Sequence, residues 1–228
     1  IKIFDLPKNM GIGYGRNLAI KESKNNLVAT VDSDVVPDKN WLLNIHNSMI
    51  KNKSHLCGGL LLEKYLKSNR YNYWRAIHIM HRFDEKEVSD VRSFITGSNM
   101  LLNKSAWIKV GGYDEQFKSN GEDVHFCIKL RHEGFKISYD SDAFCHHLQN
   151  DNLQSLLNRC WRYYISGTGL KKPTFKRMIL RSIKHFKYCL INCSKDLINL
   201  RFSILDIHFR VLFNYIKMEY KSCKNNEI

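Results

Sequence analysis

The feature that most constrains the fold is a short, largely apolar run at residues 26–31, which is followed directly by Asp32-Ser33-Asp34. Its last four residues are β-branched or small, which favours a strand. A helix near residues 13–23 precedes this run, and a helix at residues 39–51 follows it with apolar side chains on one face. Because this alternation is typical of α/β proteins, which bind ligands at the carboxyl ends of their strands, we expect Asp32 and Asp34 to lie at a ligand site.

The rest of the pattern divides the chain into an α/β part and a helical part. An extended segment is predicted at residues 1–6, strands at 55–61, 93–102 and 137–139, and helices at 104–109 and 122–133. From residue 152 onward, apolar residues recur every three or four positions, as in amphipathic helices. We therefore predict an α/β domain at residues 1–150 and a basic amphipathic helical region at residues 151–228.

Positive charge is concentrated in that helical region. The chain carries a formal net charge of +14, and the residues from Asp151 onward include fifteen Lys and Arg against five Asp and Glu. The charge fits either a solvated helical surface or attraction to anionic phosphates and lipid headgroups. Nucleic acid is not expected, because no zinc finger, aromatic RNA-binding motif or helix-turn-helix accompanies the charge. Residues 171–221, including Lys171 and Lys172, are predicted to attach to an anionic membrane surface. The alternative is that their apolar positions pack against the rest of the protein or against a second subunit.

The cysteines and the hydropathy pattern indicate the compartment. Seven cysteines form an odd set without a CxxC pair, which favours reduced thiols over disulfides or a zinc site. No apolar run approaches the roughly 20 residues that a membrane-spanning helix requires. The sequence therefore predicts a cytoplasmic protein, either free or peripheral at the inner face of the plasma membrane.

Two carboxylate pairs are candidates for chemistry, and each also has a structural explanation. Asp32 and Asp34 are hard oxygen ligands suited to Mg²⁺ or Mn²⁺, but an aspartate at this position also fits a turn before Val35. Glu122 and Asp123 begin a predicted helix, where carboxylates interact favourably with the helix dipole. The functional interpretation of this second pair is a general base aimed at a hydroxyl group.

The order of the motifs carries a family resemblance. The segments concerned are Asn9-Met10-Gly11-Ile12-Gly13-Tyr14-Gly15-Arg16-Asn17, Ala29 to Asp34 with Val35-Val36-Pro37, Gly97-Ser98-Asn99, Gly111-Gly112-Tyr113-Asp114-Glu115, Gly121-Glu122-Asp123, Arg131, Gly134-Phe135 and His146-His147. In this order they resemble the successive motifs of inverting family 2 glycosyltransferases, over roughly residues 1–165. The resemblance implies a GT-A-like, Rossmann-like nucleotide-diphospho-sugar transferase fold.

The resemblance also implies roles for individual residues. Asp34 would bind the Mg²⁺ or Mn²⁺ ion directly, with Asp32 beside the ribose or in the water shell of the metal. Arg16 and Asn17 would contact the nucleotide. Asp123 would be the catalytic base, with Glu122 orienting the acceptor or the base.

Further contacts follow from the same resemblance. One of His146 and His147, with His147 preferred, would contact the metal or the diphosphate, and Arg159 or Arg162, with Arg159 preferred, would supply a cation. A uridine diphosphate sugar is the expected donor, and a saccharide or lipid-linked hydroxyl the expected acceptor, in polysaccharide or glycolipid assembly. The stretch from Tyr65 to Phe83, rich in aromatic and basic residues, is predicted to contact the acceptor or to be buried packing.

Two departures from the family pattern leave alternatives open. Family members begin with a strand-helix-strand unit that precedes the first motif found here, so we expect this chain to lack part of the nucleotide pocket. His125 stands where a second aspartate commonly follows the Glu-Asp pair. A catalytically inactive remnant, or a basic protein that binds membranes or nucleic acid, therefore remains an alternative to an active transferase.

Overall fold

The computed structural model describes residues 2–79, 94–167 and 174–225. Its contacts group the chain into two compact units. The α/β unit contains Ile1–Lys64 and His81–Leu148, and the helical unit contains Tyr65–Met80 and Gln149–Ile228. A segment that interrupts the α/β unit in the sequence thus belongs with the C-terminal helices.

The elements follow the chain in a simple order. The strands are β1 (Leu27–Val31), β2 (Val35–Pro37), β3 (Leu56–Glu63), β4 (Asn99–Asn103) and β5 (Ile137–His147). The helices are α1 (Ile12–Glu22), α2 (Trp41–Lys51), α3 (Arg70–His78), α4 (Lys104–Lys109), α5 (Glu122–His132), α6 (Leu153–Gly167), α7 (Phe175–Ile198) and α8 (Leu205–Asn225), with a 3₁₀ turn at Phe202–Ile204 before α8.

The five strands form one mixed sheet in the order β1-β4-β3-β5-β2. The β3–β5 pair is parallel and the other pairs are antiparallel. Within this register Val35 lies opposite His147, and His147 lies opposite Glu63 on the other side of β5. The sheet therefore brings the end of β3, the end of β5 and the turn before β2 to one place.

Both faces of the sheet are covered by helices. Met100 and Leu102 of β4 pack in a core that includes Ile20 of α1 and Phe126 of α5. The intervening Leu101 packs instead in a second core, which includes the α2 side chains Trp41, Ile45 and Met49. Since successive strand residues point to opposite faces, this alternation produces a helix–sheet–helix arrangement.

The helical unit has its own core. Trp74 of α3 packs with Leu156 of α6 and with Ile207 and Val211 of α8. A buried ion pair joins Arg75 of α3 to Asp151, which lies just before α6, with 2.6 Å between Nη1 and Oδ2. None of the described helices combines the length and the apolar character needed to cross a membrane.

Several element boundaries differ from the sequence expectations. The strand predicted at 93–102 begins only at Asn99, and the strand predicted at 137–139 continues to His147. Residues 2–6 belong to no strand of the described sheet. Of the stretch from Tyr65 to Phe83, Arg70–His78 form α3, and the part beyond residue 79 lies outside the described residues.

Candidate active site

The Asp32-Ser33-Asp34 turn connects β1 to β2 and leaves both carboxylates accessible. The turn is closed by the N–H of Val35, which donates to the carbonyl of Asp32 at 3.1 Å. The side chains of Asp32 and Asp34 are 40% and 45% exposed. This exposure is high enough for either carboxylate to meet a ligand, and the ligand site itself stays a prediction.

Arg16 of α1 joins this turn to the second carboxylate pair. One of its terminal nitrogens donates to Asp32 Oδ1 at 3.1 Å, and the other donates to Glu122 Oε1. The Arg16 side chain is only 10% exposed, and that of Glu122 only 3%. The structure thus brings together three predicted site residues, two of which are 106 positions apart in sequence.

Gly97 makes room for the Arg16 side chain. A Cβ atom at Gly97 would lie 2.0 Å from Arg16 Nη1 and 2.2 Å from its Cζ. The Gly97 carbonyl is fixed by Thr30 of β1, whose hydroxyl donates to it at 2.9 Å. The Gly97-Ser98-Asn99 segment therefore shapes the site through close backbone approach, because a Cβ atom at Gly97 would have to displace the Arg16 guanidinium.

Glu122 and Asp123 occupy the first turn of α5. Gly121, which has a φ of 94°, allows the chain to turn into this helix. Asp123 accepts hydrogen bonds from the backbone N–H groups of Gly97 at 3.3 Å and Val124 at 2.8 Å. These bonds hold its carboxylate in a fixed orientation beside Glu122.

Burial sets the acidity of this pair. Burial raises the pKa of Glu122 to about 7; the neighbouring Asp123 charge adds to the rise and Arg16 opposes it. Burial also raises the pKa of Asp123, although Arg16 and the two backbone donors favour its charged form. Glu122 Oε2 is buried and has no hydrogen-bond partner among the described residues. Buried carboxylates with raised pKa values are candidates for acid–base chemistry.

His147 lies between Asp34 and Glu63. Its Nδ1 is 2.8 Å from Glu63 Oε1, and its Nε2 is 3.4 Å from Asp34 Oδ2. Because an ionised carboxylate only accepts hydrogen bonds, Glu63 assigns a proton to Nδ1. In the neutral imidazole Nε2 is then an acceptor that faces a second acceptor, Asp34. A divalent cation suits such a pair, and a carboxylate behind the ligating histidine is the usual second partner of a metal site.

The remaining predicted residues have other contacts. The Asn17 amide donates to the Tyr113 carbonyl and to Glu115, both at 2.9 Å, and accepts from the Tyr113 N–H at 2.8 Å. These bonds give Asn17 a structural role, and its nucleotide contact stays a prediction. His146 is exposed, unlike His147. Arg159 belongs to the helical unit, where its Nε lies 3.5 Å from the buried Asp151, so its role also stays a prediction.

One group of three potential ligands lies elsewhere. Among residues 2–79, 94–167 and 174–225, His78, Asp196 and His208 have ligand atoms within 4.8 Å of one another. Trp74 Nε1 donates to His208 Nδ1 at 3.2 Å, which places the His208 proton on Nε2. Nε2 then donates to Asp196 Oδ2 at 2.8 Å. We interpret this group as a structural hydrogen-bond network of the helical unit, because Asp196 also pairs with Arg201, whose Nη1 lies 3.2 Å from Oδ1.

Comparison with known proteins identifies the family. The profile described as glycosyl transferase family group 2 matches residues 27–218. The chain belongs to this family. The match confirms the predicted family and, with the mixed sheet covered by helices, the predicted GT-A-like fold. It includes Asp32, Asp34, Glu122, Asp123 and His147, and it extends beyond residue 165, where the motif resemblance ended.

Individual relatives are distant and longer. The pre-mycofactocin glycosyltransferase of Mycobacterium tuberculosis is 24% identical over 163 residues, which are 70% of this chain and 34% of the relative. The chondroitin synthase of Escherichia coli is 24% identical over 80% of this chain and 33% of its own length. The crystal structure of S. aureus TarS has a TM-score of 0.46 at 17% identity, over 68% of this chain and 28% of that one. The chain thus spans about a third of the length of these two curated relatives.

Sequence reasoning missed Glu63. It is a buried carboxylate at the end of β3, where the sequence Leu-Cys-Gly-Gly-Leu-Leu-Leu-Glu shows only an apolar strand that finishes on an acidic residue. The sequence feature that could have identified Glu63 is the same one that identified Asp32, namely a carboxylate at the end of a strand. Without the register that pairs Glu63 with His147, nothing linked it to the site.

Proposed function

We propose that this chain carries the catalytic residues of an enzyme that transfers a sugar from a nucleoside diphosphate sugar to an acceptor hydroxyl with inversion. The observation that carries the proposal is the Arg16 bridge between Asp32 and Glu122, with Asp123 beside it. The bridge connects the turn expected at the donor side to the carboxylate expected at the acceptor side. A single displacement requires both a group that binds the donor and a base that activates the acceptor hydroxyl, and the bridge brings candidates for both together.

In this reaction Asp123 is the general base. The acceptor oxygen forms a bond to the anomeric carbon while the bond to the diphosphate oxygen breaks, and that bond's electron pair leaves with the nucleoside diphosphate. The acceptor proton passes to the Asp123 carboxylate. A pKa raised by burial makes Asp123 a better proton acceptor, and the Gly97 and Val124 N–H groups keep it oriented. Glu122 and Arg16 act as positioning residues behind it.

The donor side uses the exposed carboxylates. We assign Asp34 and His147 as the residues that would hold Mg²⁺ or Mn²⁺, with Glu63 orienting the imidazole. Such an ion neutralises the charge that develops on the departing diphosphate. Asp32, held by Arg16, is placed to meet the ribose or the water shell of the ion. A uridine diphosphate sugar is the proposed donor, as the family resemblance implies.

The proposed setting is a cytoplasmic membrane surface, where polysaccharide or glycolipid precursors are assembled. Helix α7 exposes apolar side chains between basic ones: Leu180, Ile183 and Phe186 are 59%, 61% and 52% exposed. This pattern is typical of helices that lie in the interface of an anionic bilayer. Lys171 and Lys172 of the predicted basic stretch lie outside the described residues.

The test of the transfer function is Asp123→Asn in the full-length protein. Transfer from a nucleotide sugar should fall by about 10²- to 10⁴-fold, because the amide cannot accept the proton. Donor affinity, measured by calorimetry with the nucleoside diphosphate, should stay unchanged. Asp142→Asn, at an exposed position of β5, is the matched control and should retain full transfer. An equal loss of donor affinity in Asp123→Asn would make this residue structural and overturn the proposed base.

A further inference from the structure

The helical unit contains a cavity that the transfer chemistry does not use. It has a volume of about 620 Å³ and lies among α3, α6, α7 and α8. Sites for small molecules in proteins commonly measure about 300–1,000 Å³. The cavity is therefore large enough for a ligand, and the side chains that line it indicate which kind.

One wall carries a buried polar atom without a partner. The His185 ring stacks on Tyr215 with 4.5 Å between centroids and meets the Tyr164 ring edge-on at the same distance. His185 Nε2 is buried and has no hydrogen-bond partner in the described part of the chain. Because an unpaired buried polar atom is costly, its position in a cavity wall points to a ligand that completes the bond.

The charge of the lining is positive. Arg181 and Lys184 line the cavity next to His185, and the described lining residues include neither aspartate nor glutamate. Arg181 is held by Glu219, whose Oε1 lies 3.3 Å from Nη1 and also accepts from the Tyr164 hydroxyl. Lys184 lies over the Tyr188 ring at 5.8 Å. Two cations and an imidazole that line the cavity from one helix are complementary to a phosphate group.

The remainder of the lining is apolar. Cys160, Val211 and Leu212 contribute buried apolar surface to the cavity. On α7 the neighbours of the lining residues, Leu180 and Ile183, are exposed apolar side chains. A hydrocarbon chain attached to the phosphate would therefore meet apolar surface both inside the cavity and along the helix.

We propose that this cavity binds a single-chain lipid phosphate. Arg181, Lys184 and His185 hold the phosphate group, and the hydrocarbon chain packs against Cys160, Val211 and Leu212. The site goes beyond the proposed sugar transfer, because it belongs entirely to the helical unit and its occupancy does not require that any sugar be transferred.

The experiment compares three probes on the full-length protein: farnesyl phosphate below its micellar concentration, inorganic phosphate and farnesol. Trp74 lines the cavity, so tryptophan fluorescence and calorimetry both report binding. Farnesyl phosphate should bind saturably, and each of the other two should bind roughly tenfold or more weakly, because each makes only one half of the contacts. Inorganic phosphate or farnesol binding as tightly as farnesyl phosphate would overturn the proposal, as would the absence of farnesyl phosphate binding.

Two variants locate the site. Lys184→Gln should weaken farnesyl phosphate binding about tenfold, whereas Lys187→Gln, at an exposed lysine of the same helix outside the lining, should leave it unchanged. Asn192→Trp should fill the cavity and block binding, and its thermal unfolding midpoint shows whether the variant is folded. Equal weakening by both lysine variants would assign the binding to surface charge instead. Failure of sugar transfer in the Asp123→Asn experiment leaves these outcomes unaffected.

Discussion

Asp34 Oδ2 and His147 Nε2 lie 3.4 Å apart, and this proximity makes the metal assignment testable. In the full-length protein, Asp34→Asn should abolish transfer that depends on Mg²⁺ or Mn²⁺, because the amide lacks the charge that holds the cation. Glu63→Gln should raise the metal concentration for half-maximal transfer by roughly 10- to 100-fold, since it weakens the support of the imidazole. Transfer by Asp34→Asn with an unchanged metal requirement would contradict the assignment.

Glu122 should make stability depend on pH. Its pKa rises from an ordinary 4.5 to about 7 in the folded protein, so the folded state binds this proton more tightly than the unfolded state. The resulting stabilisation is fully present below pH 4.5 and is lost as the pH rises through 7. Relative to Glu122→Gln, which does not titrate, the free energy of unfolding should fall by about 3 kcal/mol between pH 4.5 and 8.

Urea unfolding of both proteins across this pH range measures the effect. Glu133→Gln, at an exposed position just after α5, is the control and should show the same pH dependence as the unchanged protein. A difference between the unchanged protein and Glu122→Gln that stays constant with pH would show that the Glu122 proton is bound equally well in both states.

For individual residues, the sequence predicted which side chains lie together better than it predicted the contacts between them. Arg16, Asp32, Glu122 and Asp123 were all predicted site residues, and the structure places them in one cluster. The sequence could not show that Arg16 bonds to protein carboxylates, because that contact depends on how α1 and α5 pack. Asn17 illustrates the same limit, since its bonds to Tyr113 exist only in the folded chain.

The packing of α1 against the Gly97 segment yields a prediction for these elements. Gly97→Ala should displace the Arg16 guanidinium, because the new Cβ would overlap it at 2.0 Å while Asp32 and Glu122 hold it in place. We expect transfer in the full-length protein to fall by roughly tenfold or more, since one charged hydrogen bond is worth about 1.5–3 kcal/mol. Gly15 of α1 is the matched control, because a Cβ there meets nothing within 4 Å.

Gly15→Ala should retain transfer and raise the free energy of unfolding by up to about 1 kcal/mol, the difference in helix propensity between the two residues. Transfer rates and urea unfolding of both variants test the pair. Normal transfer by Gly97→Ala would show that the Arg16 bridge is not needed for the reaction.

Element boundaries were predictable where local patterns were strong. The apolar faces of α2 and α7 and the β-favouring run of β1 identified these elements, whereas β2 was missed because Val35–Pro37 is only three residues long and ends on proline. The predicted 137–139 strand stopped short because β5 continues through the polar sequence Asp140-Ser141-Asp142, which resembles a turn. Pairing with β3 and β2 makes this segment a strand, and pairing is not visible in one segment of sequence.

For the whole molecule, the sequence indicated the two kinds of structure but not the path of the chain between them. The helical unit includes Tyr65–Met80, far in sequence from its other helices. Long-range contacts such as the buried Arg75–Asp151 ion pair produce this grouping. Ile204, Ile207 and Val211 are buried in the helical unit. Because a chain shortened before α7 would lack these residues and expose the rest of their core, point substitutions are the cleaner test of membrane attachment.

Two matched triple variants of the full-length protein therefore test the membrane prediction. Leu180, Ile183 and Phe186 on α7 are exposed to 52–61%, and Leu42, Leu43 and Ile50 on α2 are exposed to 55–62%. Changing the α7 set to serine should lower binding to anionic vesicles roughly tenfold or more, because apolar surface that enters the bilayer is lost. The same change in the α2 set should leave binding unaltered.

Co-sedimentation with vesicles at low and high salt measures both variants beside the unchanged protein. Binding of the unchanged protein should weaken as salt rises, because each basic side chain near an anionic surface contributes about 1 kcal/mol and that attraction is screened. Binding that persists in the α7 variant but disappears in the α2 variant would move the attachment surface to the α/β unit. The absence of binding at low salt would remove the membrane surface from the proposed function, while leaving the sugar transfer assigned to Asp123 to its own test.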